Sequence, residues 1–238
     1  HLAAKVGGIG ANKANPGLFF YENLAMGMNL IETARKYNKL KKFIMVGTVC
    51  SYPKYTPVPF KEESLWSGYP EETNAPYGIA KKTLTEMLAA YNQQYGLNCT
   101  NLIPVNMYGP HDNFNPESSH VIPALILKFA KAIENDEKEV KVWGTGKASR
   151  EFLYVDDMAE ASLYVHNLPH STFNENTEPM LSHINVGTGI DVTIQELAEN
   201  IMDVVGFVGK LVFDKSKPDG TMRKLMDVEL LGFLGYSA

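Results

Sequence analysis

The chain has 238 residues, 45% hydrophobic and 21% charged, with a formal net charge of −5. That is enough for one large or two small domains with a sizeable core, and the balance shows neither a basic bias toward nucleic acid nor an acidic tail. Cys50 and Cys99 are too few for a disulfide framework or a zinc site and fit a reducing, cytoplasmic setting, while no apolar run approaches the roughly 20 residues of a membrane span and no signal peptide is visible.

His1-Leu2-Ala3-Ala4 reads as the end of a buried strand, and Lys5-Val6-Gly7-Gly8-Ile9-Gly10 as the glycine-rich loop after it. A start at such a junction, without Met, carries the expectation of an internal fragment. Leu234-Gly235-Tyr236-Ser237-Ala238 adds no clear closing element. Apolar residues at Leu18, Phe19, Leu24, Met28, Leu30, Ile31 and Ala34 predict a long helix from Pro16 to Tyr37, with Pro16 in its first turn. Phe43 to Gly47 is a short apolar run, consistent with a parallel strand covered on both faces. It leads through Thr48, Val49 and Cys50 into a proline-rich loop to about Asn74. A helix follows from about Pro76 to Tyr95, stopped by Gly96, and then a strand from Cys99 to Val105. Helices between such strands predict βαβ units, hence an α/β fold with a doubly wound parallel sheet.

After Pro104 the pattern changes. Asn106 to Asn113 reads as a polar loop, Val121 to Glu134 as a helix, and Val140 to Trp143 as a short strand before the turn Gly144-Thr145-Gly146. Asp156 to Leu168 is a predicted helix with Asp156 or Asp157 as its cap. Thr193 and Glu196 have capping-box spacing ahead of a helix to about Val205. The division expected is 1–105, the remaining part of the doubly wound domain with its first strands missing, and 106–238, a smaller mixed α/β lobe facing mainly the substrate. Some segments of the second part return to the first. There is no repeat or low-complexity segment.

Tyr77 and Lys81 lie four residues apart on one helix face. A lysine charge there lowers a phenol pKa that is otherwise about 10, which makes Tyr77 a usable proton donor or acceptor for hydride chemistry on a carbonyl. The same spacing also arises by chance, as a surface lysine beside a half-buried tyrosine. Context favours the chemistry. Thr48 ends the preceding strand, and ligand chemistry in parallel sheets collects at the carboxyl ends of strands. Its hydroxyl can bond the carbonyl oxygen that Tyr77 protonates. Strand-end Thr, then Tyr and Lys, is the arrangement of the short-chain dehydrogenase/reductase triad, in which Lys81 also reaches the nicotinamide ribose hydroxyls.

Along nearly all its length the chain resembles the GDP-L-fucose synthases, a family of extended short-chain dehydrogenase/reductases. The matching stretches are Ala3 to Ile9, Asn74 to Lys81, Asn106 to Phe114, Ser119 to Leu125, Val142 to Gly144, Arg150 to Asp157 and Lys217 to Thr221. The resemblance implies a Rossmann-type domain, NADP(H) as cofactor, and conversion of GDP-4-keto-6-deoxy-D-mannose to GDP-L-fucose. Epimerisation at C3 and C5 precedes reduction at C4. It assigns Tyr77, Lys81 and Thr48 to reduction and Cys50 and His120 to epimerisation. A thiol near ~8.5 and an imidazole near ~6.5 both titrate close to neutrality. Read without the resemblance, Cys50 is a small buried hydrophobe and His120 a cap before Val121; Cys99 keeps the buried reading. The implied cofactor residues are Val46, Gly47, Thr48, Val49, Lys81, Pro104, Val105, Asn106, Met107 and His120. The implied GDP-sugar residues are Lys128, Trp143, Arg150 and Asp219, with Arg150 suited to a pyrophosphate. Trp143 offers a flat apolar wall. Lys128 adds a point charge to the phosphates, or is one lysine on a solvent face. A homodimer through helices 16–37 and 76–95 is also implied.

Thr48 stands where the family commonly has Ser, and Val49 where it often has Ser or Thr. Gly7, Gly8 and Gly10 have the wrong spacing for the dinucleotide fingerprint, which the family carries earlier. A βαβ unit takes roughly 30 or more residues, so on the order of 60 residues are expected to precede His1; this chain alone is expected to be inactive and poorly stable, and the full-length parent to be active. The competing readings are another nucleotide-sugar epimerase or dehydratase, or an inactive nucleotide-sugar binding module. A 4,6-dehydratase would carry an acidic pair where this chain has Val49-Cys50. A simple 4-epimerase would not need Cys50 and His120.

Overall fold

The computed structural model describes every residue except Asn38, Pro179, Met180, Pro218 and Ala238; Pro218 of the Lys217 to Thr221 stretch and the final Ala238 thus lie outside the described residues. A short helix α1 (Ile9–Ala14) leads into α2 (Pro16–Tyr37). Helix α2 buries Phe19, Asn23, Gly27, Ile31 and Ala34, one stripe at helical spacing. Strand β1 (Phe43–Val46) follows, then α3 (Ala75–Tyr95), whose C-cap Gly96 takes the left-handed conformation at φ 64°. The two helices press close: a Cβ at Gly27 would stand 2.1 Å from Leu84 Cδ1.

Strand β2 (Cys99–Pro104) is buried along its whole length and runs parallel to β1, Val46 opposite Leu102. The sheet β1-β2 is extended on the far side of β2 by a strand from the second half of the chain. Its residues, His183 to Val186, form β6, also parallel. Ile31, Met45, Leu84, Leu88 and Cys99 form the core between the sheet and α2 and α3. His1 pairs along the free edge of β1, donating to Ile44 O at 2.6 Å and accepting from Val46 N at 3.2 Å. Leu2 is 76% exposed, so the buried strand end read at residues 1–4 is reduced to His1.

The second group of elements begins at once. Strand β3 (Asn106–Tyr108) pairs parallel with β5 (Ser149–Tyr154), correcting the polar loop expected from Asn106. Its polar residues hide it: Asn106 Nδ2 donates to Glu151 O at 3.0 Å. Helix α4 (Val121–Glu134) and strand β4 (Glu139–Trp143) lie between them in sequence. Helix α5 (Val155–Asn167) starts one residue earlier than expected, with Tyr154 at the N-cap and no side-chain cap. Asp156 and Asp157 sit inside its first turn, where they suit the helix dipole without capping it. Helix α6 (His170–Glu175) precedes β6, and β7 (Asp191–Thr193) runs antiparallel to β5. Helix α7 (Ile194–Val205) opens on the predicted Thr193–Glu196 capping box. Strand β8 (Lys210–Asp214) pairs with β4, β9 (Arg223–Lys224) pairs with β5, and α8 (Glu229–Phe233) follows. A second core, with Phe129, Val140, Val142, Ala198 and Phe207, joins α4, α7 and β4. The largest core joins β2, β6, α5 and α8, through Leu102, Ile184, Val165 and Leu231.

Candidate active site

The carboxyl end of β1 supplies Val46, Gly47 and Thr48, and a single 3-10 turn (Val49–Ser51) then turns the chain back toward α3. Thr48 caps that turn, its hydroxyl accepting from Cys50 N at 3.2 Å. Ser51 Oγ, buried, donates to Gly78 O at 2.9 Å. A Cβ at Gly78 would stand 2.3 Å from Cys50 O. The missing side chain lets the first turn of α3 lie on the Cys50 turn, which sets Tyr77 beside Thr48 and Cys50. Burial raises the Tyr77 phenol well above its ordinary pKa, and the Cys50 thiol adds to the rise; the Thr48 hydroxyl opposes it. Tyr77 is therefore a neutral donor at neutral pH.

Lys81 corrects the sequence reading. It is 2% exposed, and its Nζ donates to Val46 O at 3.0 Å. Burial pushes its ammonium down to about 8. The charge is directed at the end of β1 rather than at the phenol, so it does not lower Tyr77. Alongside β1, β2 ends at the same level: Gly47 N donates to Leu102 O at 2.7 Å, and Val105 N to Val186 O at 3.1 Å. Val46 to Val49, beside the Lys81 ammonium, and Pro104 to Met107 thus leave adjacent strands.

His120 occupies the N-cap position of α4 but makes no side-chain cap bond, and its residue is exposed. Its backbone carbonyl receives Ala124 N at 3.0 Å. That is the first bond of the helix ladder rather than a cap, so the reading of His120 as a side-chain cap is not met and its imidazole makes no bond to α4.

A second cluster lies along β4 and β5. Lys128 Nζ donates to Lys141 O at 2.8 Å and lies 5.2 Å from the Trp143 ring centre, so it is not simply a solvent-face lysine. Lys217 Nζ stands 5.4 Å from the same ring, and Trp143 is 61% exposed. Lys217 went unassigned from sequence, although it lies two residues from Asp219. Arg150 donates to Ser149 O at 2.7 Å and to Asp219 O at 3.2 Å. The Asp219 carboxylate accepts from Thr145 N at 2.7 Å and Thr145 Oγ1 at 2.9 Å. Asp219 is thereby tied to the Gly144–Gly146 turn, and its main chain supports Arg150. Burial lowers the pKa of Arg150, while the Cys50 thiol and Asp219 oppose that shift. The Cys50 thiol thus acts electrostatically on both Tyr77 and Arg150. Glu151 was also missed. Its carboxylate, 1% exposed, accepts from Met226 N at 2.9 Å and Gly189 N at 2.7 Å, fixing β5 behind Arg150.

Among the described residues there is no cluster of His, Cys, Asp and Glu able to hold a metal ion, and no helix long and apolar enough to cross a membrane.

The sequence pattern of the NAD dependent epimerase/dehydratase family matches residues 1–187. The chain is 51% identical over 234 residues to the GDP-L-fucose synthase of Escherichia coli (strain K12), covering 98% of this chain and 73% of that protein. This chain belongs to the NAD dependent epimerase/dehydratase family and, within it, to the GDP-L-fucose synthases. Solved members of the family share the architecture. A GDP-mannoheptose C4 reductase from Campylobacter jejuni, solved with NADP bound, superposes with a TM-score of 0.87 at 36% identity, over 99% of this chain and 74% of that one. A GDP-L-fucose synthetase from Naegleria fowleri gives 0.84 at 32% identity, over 99% and 69%. The α/β fold with parallel pairing of β1, β2 and β6 is thus the family's fold.

Proposed function

We propose that the protein converts GDP-4-keto-6-deoxy-D-mannose to GDP-L-fucose with NADPH, by epimerising C3 and C5 and then reducing C4. The observation that carries the reading is the Cys50 turn lying on the first turn of α3 at Gly78, which brings Thr48 and Cys50 beside Tyr77. A proton-moving thiol and a neutral phenol then serve one pocket. Identity of 51% to a GDP-L-fucose synthase supports the substrate.

The chemistry of the residues fits NADP(H). A buried ammonium and the ends of two adjacent parallel strands offer a cation and free main chain where ligands of such sheets collect. Val46 to Val49, Lys81, Pro104 to Met107 and His120 would hold it, so residues 1–105 contribute most of the cofactor side and 106–238 most of the substrate side. When bound, NADPH supplies the hydride for C4. Tyr77 protonates the oxygen at C4, the Thr48 hydroxyl orients that oxygen, and Lys81 holds charge at the end of β1. Cys50 and His120 exchange protons at the carbons next to the 4-keto group, one as base and one as acid. Arg150 takes the diphosphate bidentately. Trp143, between Lys128 and Lys217, takes the nucleotide side, and Asp219 keeps Arg150 and the Gly144 turn in place.

Two copies associate through α2 and α3 in this reading, which the exposed apolar residues Leu18, Tyr21, Met28 and Leu30 of α2 support. Free Cys50 and buried Cys99 support a reducing, cytoplasmic location. The test is to incubate the full-length parent protein with GDP-4-keto-6-deoxymannose and NADPH, and to follow absorbance loss and product stereochemistry. GDP-L-fucose is the expected product; reduction without inversion at C3 and C5 would defeat the epimerase assignment.

A further inference from the structure

The loop from Lys5 to Gly10 has no part in the chemistry above, yet two nearly fully buried amides serve its backbone. Asn23 of α2, 1% exposed, accepts from Lys5 N at 3.0 Å and donates to Lys5 O at 2.9 Å. Asn12 of α1, 6% exposed, donates to Gly7 O at 2.7 Å and to Gly8 O at 3.2 Å. Buried amides are costly to leave unpaired, so these bonds hold the loop to one path.

That path leads to the segment carrying His120. Gly8 N donates to Ser118 O at 3.2 Å, and a Cβ at Gly8 would stand 3.1 Å from Ser119 O. Gly8 has φ −63° and ψ 178°, a conformation open to any residue. Space, not conformation, is what its missing side chain provides. Ser119 Oγ is buried at this seam without a partner among the described residues. On its other side the loop approaches the substrate cluster: Ile9 Cδ1 lies 3.7 Å from where a Cβ at Gly220 would stand, one residue beyond Asp219.

We propose that the segment Lys5 to Gly10, a loop that runs into the first turn of α1, is a positioning element for His120. Asn12 and Asn23 hold its backbone, and Gly8 seats the Ser118-Ser119 main chain so that the imidazole enters the epimerisation site at a set depth. His120 makes no side-chain bond of its own to α4, so its approach depends on where this main chain rests. The inference rests on the function proposed above. Gly8→Ala and Gly10→Ala separate it from a general structural role, because nothing lies within 4 Å of a Cβ at Gly10.

The experiment measures two rates in D2O: solvent deuterium entering C3 and C5 of GDP-4-keto-6-deoxymannose, and NADPH oxidation with the epimerised 4-keto sugar supplied directly. Gly8→Ala should lower deuterium entry about tenfold or more, since a misplacement of about 1 Å can cost on the order of 100-fold. It should leave NADPH oxidation and the melting temperature near those of the parent. Gly10→Ala should change neither rate. Asn12→Ala, which frees the loop without touching residues 118–120, should show the same split as Gly8→Ala. Deuterium entry by Gly8→Ala at the parent rate, or an equal fall of both rates in Gly8→Ala and Asn12→Ala, overturns the positioning role. No deuterium entry by the parent protein overturns the proposed function instead.

Discussion

Tyr77 carries the reductive half of the chemistry as a neutral acid, and its environment explains how. Burial disfavours the phenolate, the Cys50 thiol disfavours it further, and Lys81 is turned away toward Val46 O. Tyr77→Phe should therefore reduce C4 reduction by roughly 10²–10⁴-fold, the usual worth of a positioned acid, with deuterium entry at C3 and C5 retained. Stopped-flow NADPH oxidation checks the first part and mass spectrometry the second. Gly78→Ala presses a Cβ against Cys50 O and should cost about 1–3 kcal/mol in denaturant unfolding, as overpacking does. Thr48 and Tyr77 were legible as candidates in the sequence because a strand end and a helix start place them by local rules, whereas Cys50 read by itself as a small buried hydrophobe and was singled out only by the family resemblance. The direction of Lys81 was not, because its partner is a backbone carbonyl on a different element. The same holds for Asp219: its carboxylate binds Thr145, on the far side of the chain from any motif that includes it.

At the scale of elements, the most legible feature is α7. Its capping box bonds in both directions, Thr193 Oγ1 accepting from Glu196 N at 3.1 Å and Thr193 N donating to Glu196 Oε2 at 2.8 Å. Thr193→Ala should lower stability by about 1 kcal/mol, read as a fall in melting temperature. Less legible is how the segment after the Cys50 turn is fixed to β6. Glu62, 6% exposed, accepts from Asn185 N at 3.0 Å, and Tyr52 donates to Asn185 Oδ1 at 2.7 Å. Burial first, and then Asp227 and Glu63, push the Glu62 carboxyl up to about 7, while the Asn185 N–H opposes them. Between about 4.5 and 7 the folded chain keeps a proton that the unfolded chain has lost. The contribution is therefore fully present below 4.5 and is lost as pH rises through about 7. Glu62→Gln, which keeps an acceptor for Asn185 N, should flatten that decline and raise stability at pH 8 by up to about 3 kcal/mol. Urea unfolding at pH 5 and pH 8 measures it, and a decline of unchanged slope in the variant contradicts the assignment.

For the molecule as a whole, α2, α3 and α4 were legible to within a residue because long amphipathic patterns and Gly96 mark them. Strand β6 was not: it is four residues long and buries His183 and Asn185. Four residues alternating polar and apolar are too short a run to mark a strand buried on both faces, and its partner β2 lies some 80 positions earlier. Yet this pairing returns the second half of the chain to the first sheet and puts Val186 beside Pro104, next to the site. One active site, built where β1 meets α3, both epimerises and reduces. The most direct test is the reaction in D2O of GDP-4-keto-6-deoxymannose and NADPH, comparing the parent protein with Cys50→Ser. The parent should yield GDP-L-fucose carrying deuterium at C3 and C5. Cys50→Ser should lose deuterium entry with continued reduction of the epimerised 4-keto sugar. Unchanged deuterium entry in Cys50→Ser, or loss of reduction ahead of exchange, would contradict the shared site.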